Sequence, residues 1–147
     1  MEIFAALMLI SGGLFAGGAA TFAWSRVTIW RRMAVPEFVD DFDQTIRWTD
    51  KVQPALLVVA AVSAAIAFAV TADGAARLFA ALGAAGLIVV LLASLAVLVP
   101  LQRRIVATPP TETESIDAMR LRWFTGNLGR SVLSIASFAL MVVATVL

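Results

Sequence analysis

The chain contains no cysteine, no histidine and no tyrosine among its 147 residues. Without cysteine it cannot form a disulfide, a thiolate nucleophile or a thiolate metal ligand. Without histidine, His-based catalytic triads and the zinc or haem sites that use imidazole ligands are excluded as well. The polar chemistry left to the protein depends on carboxylates, Arg, Lys, Ser, Thr, Asn, Gln and Trp.

Charge is also scarce, since Asp, Glu, Lys and Arg make up 14% of the residues and hydrophobic residues 61%. Four stretches of 17 or more residues carry no charge at all, namely 3–25, 52–72, 78–102 and 131–147. A helix needs about 20 apolar residues to cross a hydrocarbon core of about 30 Å. We therefore predict an all-α membrane protein, a single integral domain over 1–147. Its four transmembrane helices form a bundle, with spans at about 3–25, 54–72, 78–99 and 123–146.

A short amphipathic helix is predicted over residues 37–50, between the first two spans. Pro36 favours a helix start, and Phe38, Phe42 and Ile46 recur every four residues. Acidic residues occupy the other faces, and we interpret them as a solvated surface rather than a cation site. The helix is expected to lie along the membrane surface or to cap the bundle.

Lys and Arg are distributed unevenly between the loops. Nine of the eleven lie in the two long loops, and only Arg77 lies in the short loop, where Asp73 and Gly74 favour a tight turn. By the positive-inside rule the long loops face the cytoplasm and both termini face outward, in a multi-pass protein of the plasma (inner) membrane. The net charge of +1 gives no reason to expect a nucleic-acid partner.

The last span carries a polar stripe. At 100° per residue its members fall within about 80° of one another, and they are Trp123, Asn127, Arg130, Ser134 and Ser137. Such a stripe faces protein or water rather than lipid. Two interpretations of Arg130 stay open. It either snorkels or pairs with an acidic neighbour such as Asp50, or it binds an anion or carbonyl group at the floor of a pocket, aided by Asn127 and Gln102.

These motifs resemble the anthrone-oxygenase-like family of small four-helix membrane proteins. The likeness rests on the Gly-rich GLFAGG at 13–18, EFVDDFDQTIRWTDKVQP at 37–54, the pair Val99 and Pro100, and the segment 123–130. The family pattern usually has an Asn after that Val-Pro pair and a His between the Trp and the Arg. Gln102 and Asn127 stand at these positions here.

The resemblance implies cofactor-independent oxidation or rearrangement of a hydrophobic aromatic, such as a polyketide-derived one, within the bilayer, with no metal site. On this interpretation the catalytic candidates are Arg130, Asn127 and Asp50. The first two stabilise developing enolate or phenolate charge, and the third acts as the base. The substrate is expected to contact Trp123, Gln102, Phe124 and Ser134.

A second interpretation belongs to a different class of protein. The chain would be a non-catalytic membrane subunit that packs into a homo-oligomer or a larger complex through small residues such as Gly13 and Gly17. A cavity lined by Arg130 and Asn127 would favour a small-molecule ligand. A filled core in which these two residues are paired would favour the subunit.

Overall fold

The computed structural model describes residues 2–70 and 74–147. Over these residues the chain forms five helices and no strand. They are α1 (Ile3–Trp30), α2 (Val35–Thr49), α3 (Gln53–Val70), α4 (Ala75–Ala107) and α5 (Thr113–Val146). Four of them, α1, α3, α4 and α5, are long and apolar enough to cross a membrane. The predicted all-α architecture with four transmembrane helices is confirmed.

Several helices extend past the predicted spans. α1 continues to Trp30, α4 continues to Ala107, and α5 already begins at Thr113. A charged residue ends an apolar run without ending a helix, because Arg and Glu are good helix formers. The predicted end of the second span, 71–72, and Asp73 of the predicted turn lie outside the described residues. Gly74 has a φ of 137°, a conformation that glycine adopts without a Cβ clash.

Two transmembrane helices contain a π-helical segment, Phe22–Arg26 in α1 and Ser94–Leu98 in α4. In each segment an N–H donates to the carbonyl five residues earlier, from Val27 to Phe22 and from Val99 to Ser94. Such bulges rotate the side chains that follow them and are common at functional sites. Both segments border the cavity described below.

One part of the bundle is packed through small residues. A Cβ placed on Gly83 of α4 would lie 2.7 Å from Met141 Cγ of α5, and one on Gly86 would overlap Ser137 Oγ. These two helices therefore approach more closely than any larger residue would allow. We call the cluster of buried residues in this part of the bundle the small-residue core, although it also includes larger aliphatic and aromatic side chains. Its members are Met8, Phe15, Leu57, Ala60, Ala61, Ala64, Ala84, Leu87, Val90 and Met141.

The other part of the bundle is packed through aromatic rings. We call the set Phe22, Trp30, Phe38, Phe42, Trp123 and Phe124 the aromatic cluster. α2 contributes two of these rings, and its buried face is Val35, Phe38, Val39, Phe42 and Ile46. The short helix thus forms within one or two residues of the predicted 37–50. Through this buried face the helix packs against the bundle, as expected for a helix that caps it.

Candidate functional site

A cavity of about 70 Å³ lies inside the bundle, between the aromatic cluster and the small-residue core. All five helices contribute to its wall. Its apolar wall residues include Phe15, Phe22, Leu57, Leu91 and Leu98. Its polar wall residues are Thr49, Asp50, Gln53, Ser94, Gln102, Trp123 and Arg130. The cavity is therefore an apolar chamber with hydrogen-bonding groups at selected points, which is the usual composition of a small-molecule site.

An open groove adjoins this cavity. It encloses about 310 Å³ between α2 and α4 and shares four wall residues with the inner chamber, Ile46, Asp50, Val99 and Gln102. The inner chamber alone is small against the roughly 300–1,000 Å³ of typical ligand pockets. A ligand with its polar end in the chamber and its apolar body in the groove would use both spaces.

Four polar atoms of the cavity wall are buried without a hydrogen-bond partner among the described residues. They are Gln53 Oε1, Gln102 Oε1, Trp123 Nε1 and Arg130 Nε. Two of them are acceptors and two are donors. A buried polar atom left without a partner costs about 1–3 kcal/mol. Two further such atoms, Asn127 Nδ2 and Ser137 Oγ, belong to residues that do not line the cavity, so four of the six are gathered at its wall.

Arg130 is positioned by its own helix. Its Nη2 donates to Asn127 Oδ1 at 2.7 Å, one turn earlier on α5. Asn127 is fully buried and does not line the cavity, so it acts on the site through Arg130. Ser131 Oγ is fully buried as well and lies 2.9 Å from the carbonyl of Ala19 on α1, which fixes α5 against α1 at this level.

Asp50 lies at the carboxyl end of α2, where its N–H donates to the Ile46 carbonyl, and it lines both the cavity and the groove. Partial burial raises the pKa of its carboxyl group, and the charges of Arg130 and Arg103 oppose that rise only in part. A carboxylate with a raised pKa beside a cavity is a candidate general base.

The predicted site residues divide into two groups. Arg130, Asp50, Trp123 and Gln102 do line the cavity. Asn127, Phe124 and Ser134 lie elsewhere: Asn127 holds Arg130, Phe124 packs in the aromatic cluster, and the Ser134 hydroxyl donates to the Arg130 carbonyl at 2.6 Å. A polar stripe shows which face of a helix points inward. It does not show which of its members reach a cavity.

Sequence reasoning missed three polar wall residues, Thr49, Gln53 and Ser94. Their positions in the sequence could have pointed to two of them. Ser94 is a polar residue within an otherwise apolar span, and Gln53 lies at the start of the second span. That signal is weak because serine in a transmembrane helix commonly donates to its own backbone, as Ser94 also does to Val90 at 2.7 Å.

Of the acidic residues of α2, Glu37 and Asp40 are exposed, as expected for a solvated surface, whereas Asp41 and Asp43 are half-buried and have partners. Asp41 accepts a hydrogen bond from Trp30 Nε1 at 2.6 Å and lies 3.5 Å from Arg26 Nη1. Asp43 pairs with Arg47 at 2.7 Å. In the part of the chain that the structure describes, no three Asp or Glu side chains are grouped so as to hold a metal ion.

Fold and site together define a membrane-embedded four-helix protein with a partly polar cavity inside the bundle. The sequence model of the anthrone oxygenase family matches residues 42–140, which is more than half of the chain. The chain therefore belongs to the anthrone oxygenase family, as its motifs indicated. The match includes the cavity residues from Ile46 to Arg130 but not those of α1. A search of curated proteins finds no match, and a search of solved structures finds none either.

Proposed function

We propose that this protein is a membrane-embedded oxygenase that oxidises a hydrophobic aromatic ketone of the anthrone type with dioxygen. The observation that carries the proposal is the cavity itself, where Arg130 Nε and Trp123 Nε1 are buried donors with no acceptor among the described residues. A ketone oxygen supplies the acceptor that both donors lack. Membership of the anthrone oxygenase family supports the same class of substrate.

The proposed reaction begins with the methylene group opposite the ketone. The Asp50 carboxylate takes one proton from it, and the electron pair moves to the ketone oxygen, where Arg130 and Trp123 stabilise the enolate. The enolate transfers one electron to dioxygen, and the resulting radicals combine into a carbon-bound peroxide, which takes back the proton. Loss of the second methylene hydrogen and cleavage of the O–O bond release one water molecule and leave a second ketone. One dioxygen is consumed for each quinone and water formed.

The groove accounts for how such a substrate reaches the chamber. A fused-ring aromatic partitions into the bilayer and approaches the site between α2 and α4. The apolar part of the groove wall there includes Val99, Val106 and Ala107, and the charged part includes Asp43 and Arg103. The ring edge that bears the ketone then passes Asp50 and Gln102, which border both spaces. Asn127 is assigned a positioning role, because it holds the Arg130 guanidinium without lining the cavity.

The test is oxidation of anthrone by the purified protein in detergent. We expect oxygen uptake matched by anthraquinone formation, above the rate of spontaneous oxidation. Removing the donor in Arg130→Met should lower the rate by about 100-fold or more, as is typical for loss of an oxyanion-stabilising group. The matched control is Arg122→Met on the same helix, because Arg122 is exposed and outside the cavity. Equal rates in the two variants, or no oxidation by the natural sequence, would contradict the proposal.

We also propose the orientation that the loop charges predict, with both termini outside and both long loops in the cytoplasm of a plasma (inner) membrane. The absence of cysteine makes the test simple, because single cysteines can be introduced without a background. Glu114→Cys, in the first turn of α5 and ahead of the predicted fourth span, should react with a membrane-impermeant maleimide only after the membrane is opened. Labelling of this variant in intact cells would reverse the assignment.

A further inference from the structure

A second groove lies on the outer surface of the bundle, between α4 and α5. It encloses about 420 Å³, and its wall residues are Ala96, Val97, Pro100, Leu101, Arg104 and Arg122. None of them lines the inner cavity or the groove that adjoins it. Val97 has 58% of its surface exposed, and Ala96 and Pro100 are exposed as well. This groove is therefore separate from the site described above.

The wall residues that α4 contributes change from apolar to cationic along one face of the helix. Val97, Leu101 and Arg104 are spaced four and three residues apart, so their side chains lie one above another. At 1.5 Å per residue, Arg104 lies about 10 Å beyond Val97 along the helix axis. The uncharged run of this span ends at Gln102. Arg104 therefore lies where the helix leaves the hydrocarbon core, and Val97 lies inside that core.

Arg122 borders the same groove from α5. One turn further along this helix, a Cβ on Gly126 would lie 2.8 Å from Leu98 Cδ2 of α4. The two helices are therefore in close contact next to the groove, as small residues allow. This contact holds Arg104 and Arg122 on adjacent helices at the same boundary of the membrane.

Both arginines of the groove are exposed, and neither has an acidic partner among the residues that the structure describes. By contrast, Arg26, Arg47 and Arg120 each pair with an aspartate. A guanidinium group donates paired hydrogen bonds to phosphate oxygens, and an acyl chain covers an apolar wall. Basic pockets between transmembrane helices bind anionic head groups through this chemistry.

We propose that the groove between α4 and α5 binds one anionic phospholipid, with the phosphate between Arg104 and Arg122 and an acyl chain along the apolar wall. A zwitterionic phospholipid adds a cationic group to its phosphate, and that group is repelled by the two arginines. The site therefore prefers a head group with a net negative charge. The inference is independent of the proposed function, because the groove shares no wall residue with the inner cavity.

The experiment is native mass spectrometry of the detergent-purified protein with an equimolar mixture of dioleoyl phosphatidylglycerol and dioleoyl phosphatidylcholine. The acyl chains of the two lipids are identical, so the ratio of the two singly bound forms reports the effect of the head group alone. We expect the phosphatidylglycerol form to be in about 25-fold excess, with each arginine contributing about fivefold. Equal amounts of the two forms would overturn the proposal.

The variants Arg104→Gln and Arg122→Gln should each lower this excess about fivefold, and the double variant should leave almost none. The matched control is the double variant Arg31→Gln and Arg32→Gln, which removes the same charge from exposed positions outside the groove. The control should keep the preference for phosphatidylglycerol. If it loses as much of that preference as the groove variant, the attraction is diffuse and the proposal fails. It also fails if the natural protein is a dimer that binds neither lipid, because a second copy then covers the groove.

Discussion

Two neighbouring tryptophans differ in one hydrogen bond. The rings of Trp30 and Trp123 lie 5.8 Å apart within the aromatic cluster, and both side chains are buried. Trp30 Nε1 donates to Asp41 at 2.6 Å, whereas Trp123 Nε1 has no acceptor among the described residues. Trp30 is thus fully hydrogen-bonded inside the core, whereas Trp123 presents an indole N–H without an acceptor at the cavity wall.

Two arginines of α5 differ in the same way, in how many of their nitrogens have a hydrogen-bond partner. Arg120 donates to the carbonyls of Trp30 and Met33 at 3.3 and 3.1 Å and pairs with Asp117 at 2.5 Å. Arg130 uses one nitrogen for Asn127 and leaves its Nε without a partner among the described residues. Polar groups in a core are normally all paired, and exceptions are expected at functional sites. Trp30 and Arg120 therefore belong to a fully paired structural region, whereas Trp123 and Arg130 border the cavity that a ligand could enter.

The largest expected difference is in stability between Arg120→Met and Arg130→Met. Loss of Arg120 removes two hydrogen bonds from a charged donor, each worth about 1.5–3 kcal/mol, and leaves the carbonyls of Trp30 and Met33 with one partner fewer. Loss of Arg130 removes one such bond and leaves the buried Asn127 Oδ1 without a donor, but it also removes a buried donor that had no partner. Thermal unfolding in detergent should therefore show a lower midpoint for Arg120→Met. Similar midpoints would mean that the two arginines do not differ as described.

A smaller difference is expected between the matched substitutions Trp30→Phe and Trp123→Phe. Both lose the same part of a buried ring, but only the first breaks a hydrogen bond and leaves the Asp41 carboxylate without its indole donor. Trp30→Phe should be the less stable by about 1–3 kcal/mol in the free energy of unfolding. Trp123→Phe should instead weaken binding of anthraquinone. The reverse order of stability would remove the distinction between the two rings.

The spans and the inward face of α5 can be predicted from the sequence because each depends on a single segment of the chain. An uncharged run and a 100° periodicity are properties of a single segment, and the cost of burying charge in lipid makes them decisive. The Gln53 contact with Gly18 is of another kind, because it depends on how α1 and α3 are rotated against each other. Asn127 and Arg130 share a face, yet only the longer side chain reaches the cavity. Spacing alone cannot separate a wall residue from the residue that holds it.

Adjacent glycines of α1 allow a finer test of the cavity region. Gly18→Ala should displace the Gln53 amide, which is flexible enough to move, and should thereby weaken binding of anthraquinone in the cavity with little loss of stability. Gly17→Ala is the control, and it should leave anthraquinone binding unchanged, because a Cβ there meets no described atom within 4 Å. It should also raise stability by up to about 1 kcal/mol through helix propensity. Equal affinities of the two variants for anthraquinone would show that Gly18 does not position Gln53.

The smallest expected effect concerns pH and Asp50. Its pKa is raised in the folded protein mainly by desolvation, so the native state keeps this proton at a pH where the unfolded chain has lost it. The native state then binds more protons, and stability must fall as pH rises from about 4, the ordinary carboxyl value, through the raised pKa. Asp50→Asn should lack this fall, whereas Asp40→Asn, on α2 but outside the walls of the cavity and the groove, should retain it. If the natural protein instead gains stability over that range, Arg130 and Arg103 outweigh desolvation, and Asp50 is a counter-ion rather than a base.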